Sequence, residues 1–294
     1  MSERQLSGSP SMTALFARAG AAAIPGVGRL PFVSGGGGEI PDVALVLDDV
    51  QIDPARLAAF DRVCAYSLSD AVPAAYIHIL AFPLQLKLMT DGSFPLPAIG
   101  LVHIANKITQ HRPVGIGERL SLRVWATELE PHPRGTQFTL RSQARVGDEL
   151  VWEEWATNLR RGGNGKGGKA GNAPDVASTE DVPVTATWKL PGDLGRQYAG
   201  VSGDRNPIHI HPLSAKLFGF PTAIAHGMWT KARCLAALGP RLDDTFTAEV
   251  AFRKPILLPA TVKFAEELRD GAIRFGVRDA RKDTPHLDGL VALG

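Results

Sequence analysis

Two successive stretches of the chain repeat the same order of hydrophobic and polar positions. In the first, apolar residues recur at helical spacing after Asp53-Pro54, and a longer helical pattern runs from His78 to Thr90. In the second, a similar short pattern follows Asp193, and a longer one runs from His226 to Leu238, where Gly239-Pro240 ends it. Each stretch is therefore predicted to contain a short helix followed by a long one.

Alternating apolar residues predict antiparallel strands after each long helix. A basic pair, a proline and a β-branched residue introduce the first of these strands in both stretches, as His111-Arg112-Pro113-Val114 and as Arg253-Lys254-Pro255-Ile256. Further alternating segments cover residues 137–146, 150–159, 272–281 and 290–293. A sheet wrapped around one long helix is the simplest α+β packing of these elements.

A glycine-rich segment separates the two stretches. Residues 163–182 contain almost no large apolar side chains, so they cannot bury enough surface to offset the entropy of ordering, and we predict a flexible linker. Its glycines lack the G-x-x-x-x-G-K-[ST] spacing of a phosphate-binding loop. The predicted division is an N-terminal arm at 1–50, with one short helical pattern at 12–23, then a first domain at 51–162 and a second at 183–294.

The composition excludes several classes of function. The 32 lysines and arginines nearly balance the 30 aspartates and glutamates, and without a long basic run the chain is not expected to bind nucleic acid. No apolar run reaches the roughly 18 residues that a membrane helix needs. The two cysteines, Cys64 and Cys234, cannot form a disulfide framework, so a reducing, cytoplasmic location fits best.

The two stretches differ most just ahead of the long helix. An aspartate and a histidine are separated there by 7 residues in the first stretch (71–77) and by 21 in the second (205–225). Because the following proline restricts Asn206 to an extended or turn conformation, the longer segment is expected to fold over. The Asp204 carboxylate and the His209 imidazole would then meet at one water molecule. A structural role, with Asp204 capping a turn and His209 filling a polar gap, is the alternative.

Two further features lie beside this segment. Gly227 begins the long helix with an unobstructed backbone N–H, where the helix dipole favours a developing negative charge; a purely structural glycine is the alternative. Asp204, His209, His211 and His226 are also candidate metal ligands, since His209 and His211 would share a face of an extended chain. No cysteine is near and the spacing matches no strong metal motif, so no bound metal is predicted.

The residues around this segment resemble a known enzyme family. The segments that carry the resemblance are YAGVSGDRNPIH (198–209), IAHGMWT (224–230) and FRKPILLP (252–259). They are similar to the signature of the MaoC-like, R-specific enoyl-thioester hydratases, and the whole chain resembles the two-hot-dog members, the 3-hydroxyacyl-thioester dehydratases. The resemblance implies a double hot-dog, an α+β fold in which two antiparallel sheets each wrap round a long helix and form a pseudo-dimer within one chain. The first hot-dog would be degenerate and the second catalytic.

The resemblance also implies a role for each residue of the candidate site. The catalytic acid/base pair would be Asp204 and His209. The groups around this pair would be Asn206, which orients the water, Gly227, whose amide donates to the thioester oxygen, and Ser202 and His226, which support the others.

The same resemblance implies the substrate and the absence of a cofactor. The substrate would be an acyl thioester of coenzyme A or acyl carrier protein, hydrated reversibly from the trans-2-enoyl to the (3R)-3-hydroxyacyl form in fatty-acid metabolism. No metal or redox cofactor would be required. The first stretch departs from the pattern, because Asp70 lacks a following N-P-x-H and Ile79 stands where Gly227 does, so it should carry no second site.

Two other functions on the same fold stay open. A hot-dog acyl-thioesterase would use an acidic residue and a helix N-terminus, but would release free thiol. A non-catalytic acyl-thioester-binding subunit would bind the substrate without turnover. Association of two chains into a homodimer is also left open.

Overall fold

The computed structural model describes residues 1–22, 38–162 and 176–294. Its helices are α1 (Met12–Ala22), α2 (Pro54–Cys64), α3 (Ala74–Met89), α4 (Leu194–Ser202), α5 (Pro207–Ile210), α6 (Pro212–Leu217) and α7 (Gly227–Leu238). Its strands are β1 (Ser2–Gln5), β2 (Val43–Gln51), β3 (Ala71–Val72), β4 (Leu101–Gln110), β5 (Val114–Gly115), β6 (Arg119–Ala126), β7 (Glu130–His132), β8 (Gly135–Val146), β9 (Glu149–Arg161), β10 (Val184–Leu190), β11 (Phe246–Phe252), β12 (Ala260–Arg269), β13 (Ala272–Asp279) and β14 (Pro285–Leu293).

The described residues form two compact units. The first unit comprises residues 1–22, 38–51, 77–104 and 117–162, and the second comprises residues 52–76, 105–116 and 176–294. Each unit is therefore assembled from separate stretches of sequence, whereas the predicted division is linear.

The first unit packs α3 against an antiparallel sheet. Its strands lie in the order β1-β2-β6-β8-β9-β4; β1 runs parallel to β2, whereas β2, β6, β8 and β9 pair antiparallel in turn. Leu120, Leu122 and Val124 of β6 are buried, as their alternation predicts. The predicted N-terminal arm contains β1 and β2, and residues 43–51 are part of this sheet because Ala44, Leu45 and Leu47 bury their side chains in it.

The second unit packs α7 against its own antiparallel sheet. The strand order is β4-β11-β14-β13-β12-β10, and every neighbouring pair is antiparallel. Lys231 of α7 donates from Nζ to the carbonyl of Ala248 in β11 at 3.0 Å, which holds the helix to the sheet. Val262 and Phe264 of β12 are buried, in agreement with the period of two predicted after Pro259.

The predicted linker is only in part described. Residues 163–175 lie outside the described residues. Residues 176–182 pack against the second unit: Val176, Thr179 and Val182 are buried, and both the backbone N–H and the hydroxyl of Thr179 donate to Oδ1 of Asp288, at 3.0 and 2.6 Å. The prediction of a flexible linker is therefore wrong for these seven residues, because buried side chains and a carboxylate anchor them.

The predicted helices differ in how well their starts agree with the structure. Asp53 caps α2, because its carboxylate accepts from the backbone N–H groups of the next turn. Helix α7 begins one residue after His226, which is its N-cap, and ends at Leu238 as predicted. In contrast, α3 begins at Ala74, four residues before His78, and the N–H of Tyr76 donates to the carbonyl of Pro73. Residues 74–77, its first turn, include no charged or capping side chain, so no polar residue marks the start. None of the helices within the described residues combines the length and the apolar character needed to cross a membrane.

Candidate active site

The candidate site begins where α4 ends, in the second unit. Gly203 follows α4 with a φ of 79°, a left-handed conformation that glycine adopts without a Cβ penalty, and the chain turns out of the helix there. Arg56 of α2 fixes this end, because its guanidinium donates to the carbonyls of Val201 and Ser202 at 2.8 and 3.3 Å. The hydroxyl of Ser202 then accepts from the N–H of Asp204 at 3.1 Å. Ser202 thus sets the backbone of Asp204.

Turn chemistry folds the next residues over, as predicted. Oδ1 of Asp204 accepts from the N–H of Asn206 at 3.1 Å, and Oδ1 of Asn206 accepts from the N–H of Ile208 at 3.4 Å. Asn206 therefore caps α5, with Pro207 at the first helical position, and α5 carries His209. The reactive atoms of Asp204, His209 and His226 all lie within 4.8 Å of one another. The structure therefore brings the carboxylate and the imidazole together, and it adds a second imidazole to them.

His209 is buried with one ring nitrogen already engaged. Nδ1 lies 2.8 Å from the carbonyl oxygen of Ile224, and because a carbonyl only accepts, Nδ1 carries the proton in the neutral ring. Nε2 is therefore the basic nitrogen. Burial lowers the pKa of His209, although the Asp204 carboxylate and the Ile224 carbonyl both act to raise it. The ring is consequently neutral near pH 7 and able to accept a proton.

His226 is the residue that precedes α7, and it stacks on His209. The two ring centroids are 3.7 Å apart with an interplanar angle of 26°, and the ring of Tyr198 lies 4.9 Å from that of His226. Nε2 of His226 donates to the carbonyl of Asp204 at 3.1 Å and lies 3.7 Å from Oδ2 of Asp204, whereas Nδ1 has no hydrogen-bond partner among the described residues. Burial, and then the neighbouring His209, hold the pKa of His226 well below its usual range. Both stacked rings are therefore neutral.

Gly227 opens α7 beside this cluster. Backbone N–H groups in the first turn of a helix have no intrahelical acceptor, and the dipole favours negative charge there. A Cβ at this position would lie 3.1–3.3 Å from the ring of Phe252 in β11, so the glycine also permits close packing of the helix start on the sheet. The predicted oxyanion donor, the amide of Gly227, thus lies at the N-terminus of α7, next to His226, which contacts the carbonyl of Asp204.

One part of the comparison between the two halves is wrong. Strand β3 pairs with β5 in the first half, as Ile224 pairs with Leu257 in the second. Ala74 and Gly227 each lie three residues after the paired residues Ala71 and Ile224, and each is the first residue of its long helix. The residue that corresponds to Gly227 is therefore Ala74, and Ile79, which was predicted to correspond to it, lies more than a turn further along α3. The first half still lacks an N-P-x-H segment ahead of this position.

The structure separates one candidate metal ligand from the others. The face that His209 and His211 would share in an extended chain does not form, because residues 207–210 are helical; His211 is exposed, and its Nδ1 caps α6 by accepting from the N–H of Leu213 at 3.1 Å. Asp204, His209 and His226 are close enough to hold a metal ion. However, Nε2 of His226 carries the proton that it donates to the Asp204 carbonyl, so that nitrogen offers no lone pair.

Two residues of the site were not predicted from the sequence. Arg56 is far from the motif in the chain, and no pattern connects the two. Gly195 lies in the first turn of α4, and a Cβ there would overlap the carbonyl oxygen of His209. A glycine inside a helical pattern is unfavourable by itself, so its presence at 195 was a usable signal of close backbone approach.

Comparison with known proteins identifies relatives of this chain. Residues 172–289 match the model of the MaoC like domain. The chain is 36% identical to 3-hydroxyacyl-thioester dehydratase X of Mycobacterium tuberculosis over 274 residues, which cover 93% of this chain and 95% of that protein.

Solved structures support the same relationship. The crystal structure of HtdX of M. tuberculosis superposes with a TM-score of 0.74 and 35% identity, covering 84% of this chain and 98% of that one. A further M. tuberculosis protein, described as a double hot-dog, superposes with a TM-score of 0.56 at 14% identity over 88% of this chain and 98% of its own, a likeness of fold alone. The predicted α+β double hot-dog is thereby confirmed. This chain belongs to the MaoC-like family of 3-hydroxyacyl-thioester dehydratases.

Proposed function

We propose that this chain catalyses the reversible hydration of trans-2-enoyl thioesters to (3R)-3-hydroxyacyl thioesters. The observation that carries the proposal is the convergence of Asp204, His209 and His226 within 4.8 Å, beside the helix start at Gly227. The names of the related dehydratases support the reaction class of a hydro-lyase acting in fatty-acid metabolism. The substrate would be carried on coenzyme A or on acyl carrier protein.

His209 would move the proton between water and the substrate. In the hydration direction, Nε2 of the neutral ring takes a proton from water while the water oxygen bonds to C3 of the enoyl group. The imidazolium then returns this proton to C2, so that H and OH are added and nothing else is consumed. The Asp204 carboxylate would accept a hydrogen bond from the second O–H of the water, which stays on the product as its hydroxyl, and would stabilise the imidazolium. Positioned acid/base groups are typically worth about 10²–10⁴-fold in rate.

The backbone amide of Gly227 would stabilise the charge that develops on the thioester oxygen. As water adds at C3, the electrons of the double bond move toward the carbonyl, which becomes enolate-like. A donor already in place at a helix N-terminus needs no reorganisation, and such a donor contributes on the order of 3 kcal/mol to the transition state. Asn206 and Ser202 would act on the backbone of the turn, and His226 on the carbonyl of Asp204.

The proposed reaction uses no metal or redox cofactor. Addition of water to an enoyl thioester transfers no net electrons, and the acid/base and donor groups named above cover each step. We therefore expect turnover of crotonyl-CoA to be unaffected by a chelator.

The test of the proposed function is replacement of Asp204 by asparagine. Asp204→Asn removes the negative charge with little change in shape, and we expect the kcat of crotonyl-CoA hydration to fall by about 10²-fold or more. Asp70→Asn, at an exposed aspartate of the first half that lacks a following N-P-x-H, is the matched control and should keep wild-type activity. Circular dichroism should be unchanged in both variants.

Three results would contradict the proposal. Normal activity in Asp204→Asn would remove the acid/base assignment. Release of free thiol from an acyl thioester, detected with a thiol-reactive dye, would indicate a thioesterase. Binding of enoyl thioesters of every chain length without turnover would indicate a binding subunit.

A further inference from the structure

Helix α6 turns its apolar side chains toward solvent. Leu213 and Leu217 are four residues apart, hence on one face, and are 66% and 84% exposed; Phe218, directly after the helix, is 37% exposed. The buried side of α6 is formed instead by Ala215 and by Ser214, whose hydroxyl donates to the carbonyl of Pro207 at 2.7 Å. This arrangement is the inverse of an ordinary surface helix. We call Leu213, Lys216, Leu217 and Phe218 the α6 surface.

The sequence around the α6 surface is strongly basic. Between Asp204 and Asp243 there is no acidic residue, and residues 194–242 hold six basic residues against the single acid Asp204. The exposed members of this set near α6 along the chain are Arg196, Arg205 and Lys216, whereas Arg241 is paired with Glu266. The whole chain has a net charge of only +2, so positive charge is concentrated on this segment.

The α6 surface is built on the segment that carries the candidate acid/base residues. Helix α6 follows α5, and His211 lies between them as the cap of α6. Arg196 of α4 donates to the carbonyl of Ile210 at 3.3 Å, which ties the junction of α5 and α6 to α4. A partner seated on α6 is therefore a short distance along the chain from His209.

We propose that the α6 surface docks an acidic carrier protein that presents the acyl thioester on a flexible arm. This inference rests on the proposed function and names the carrier. An exposed apolar centre that carries Lys216 and has Arg196 at its edge complements a partner with an apolar centre and acidic residues around it. A second copy of this chain placed symmetrically on the same surface would bring like charges together, and a six-residue helix buries too little area to hold a membrane surface.

The experiment compares two carriers of the same acyl group. Crotonyl-CoA and crotonyl-acyl carrier protein are assayed with the wild type, Leu217→Glu and Lys216→Glu. Leu268→Glu, a leucine of β12 that is 62% exposed, and Lys189→Glu, an exposed lysine of β10, are the matched controls. We expect kcat/KM on the carrier-protein substrate to fall at least tenfold in both α6 variants, and kcat/KM on crotonyl-CoA to change less than twofold. The controls should match the wild type on both substrates.

Binding of the acyl carrier protein without an acyl group is measured in parallel, so the inference is tested even if neither substrate turns over. In that case the proposed function fails, whereas a Kd for the carrier protein that rises at least tenfold in the two α6 variants, and not in the two controls, still supports docking. Equal loss on both substrates, or wild-type affinity for the carrier protein in both α6 variants, would overturn the inference. Two other results would also overturn it. If the wild type is a dimer and Leu217→Glu is not, the occupant is a second copy of the chain. If the wild type binds phosphatidylglycerol vesicles and Leu217→Glu does not, the occupant is a membrane.

Discussion

The close approach of α4 to α5 makes Gly195→Ala a sensitive test of how the candidate site is positioned. A methyl group at residue 195 would overlap the backbone carbonyl of His209, whereas one at Gly200, in the same helix, would meet nothing within 4 Å. The two substitutions are chemically identical and lie five residues apart. They differ only in whether α5 lies against the new methyl group.

The structure sets the expected magnitudes. Without a clash, alanine stabilises a helix by roughly 0.5–1 kcal/mol relative to glycine, so Gly200→Ala should be neutral or slightly stabilising. In Gly195→Ala the methyl carbon and the carbonyl oxygen must separate to about 3.5 Å, which moves His209 or α4 by about 1 Å or more. A displacement of this size at a reacting group can cost about 10²-fold in rate. Overpacking of this kind also destabilises by about 1–3 kcal/mol.

Urea unfolding and the kcat of crotonyl-CoA hydration measure both effects. We expect Gly195→Ala to lose 10²-fold in kcat and to unfold at lower urea, while Gly200→Ala keeps both values. The reasoning is refuted if Gly195→Ala keeps wild-type kcat, because His209 could then shift by an ångström without consequence. It is also refuted if Gly200→Ala loses as much as Gly195→Ala, since the effect would then belong to α4 and not to its contact with α5.

Two further predictions concern pH. Burial raises the pKa of Asp61 to about 6 from 3.8, so this group favours the folded state at low pH, and that contribution is lost as pH rises through 6. The free energy of unfolding of Asp61→Asn, measured in urea, should therefore exceed that of the wild type by about 2 kcal/mol at pH 8 and by little at pH 4. An equal change at both pH values would contradict this. Burial lowers the pKa of His209, and the neutral ring is the proposed base, so kcat/KM should fall with a midpoint below pH 6.5 on the acid side. A midpoint above 6.5 would mean that another group is the base.

The parts of the fold that were predicted from the sequence carry strong local signals. Helix ends are marked by the capping residue at Asp53-Pro54 and by the missing N–H at Gly239-Pro240. Half-buried strands are marked by the alternation of apolar and polar residues after Pro113 and Pro259. Strands β2, β4, β10 and β11 were missed, and so was the true start of α3. Residues 74–77, the first turn of α3, are all buried. A segment that is buried on every side has no hydrophobic period that distinguishes one face from another.

The candidate site was predicted from the sequence where its residues are close neighbours along the chain. The proline after Asn206 restricts the turn locally, so the meeting of Asp204 and His209 followed from neighbouring residues. The contributions of Arg56 and Gly195 depend on which elements pack together, and residues 145 positions apart in the chain give no local sign of contact. The helical turn at α5 also overrode the extended conformation that would have placed His211 beside His209.

One buried carboxylate of the first unit and the candidate site of the second unit differ in how their carboxylates are engaged. In the first unit, Nδ1 of His78 donates to Glu154 at 2.7 Å, and the amide of Gln85 donates both to Glu154 and to Ser142, at 2.8 and 2.9 Å. Both carboxylate oxygens of Glu154 thus accept a hydrogen bond, and a buried carboxylate engaged in this way specifies packing and has little capacity left to position a water molecule. In the second unit, His209 keeps a basic nitrogen after its single backbone contact, next to the carboxylate of Asp204. The basic nitrogen of His209 therefore faces a carboxylate that can position water, which is a physical reason, independent of the motif, for placing the chemistry at this pair of the second unit.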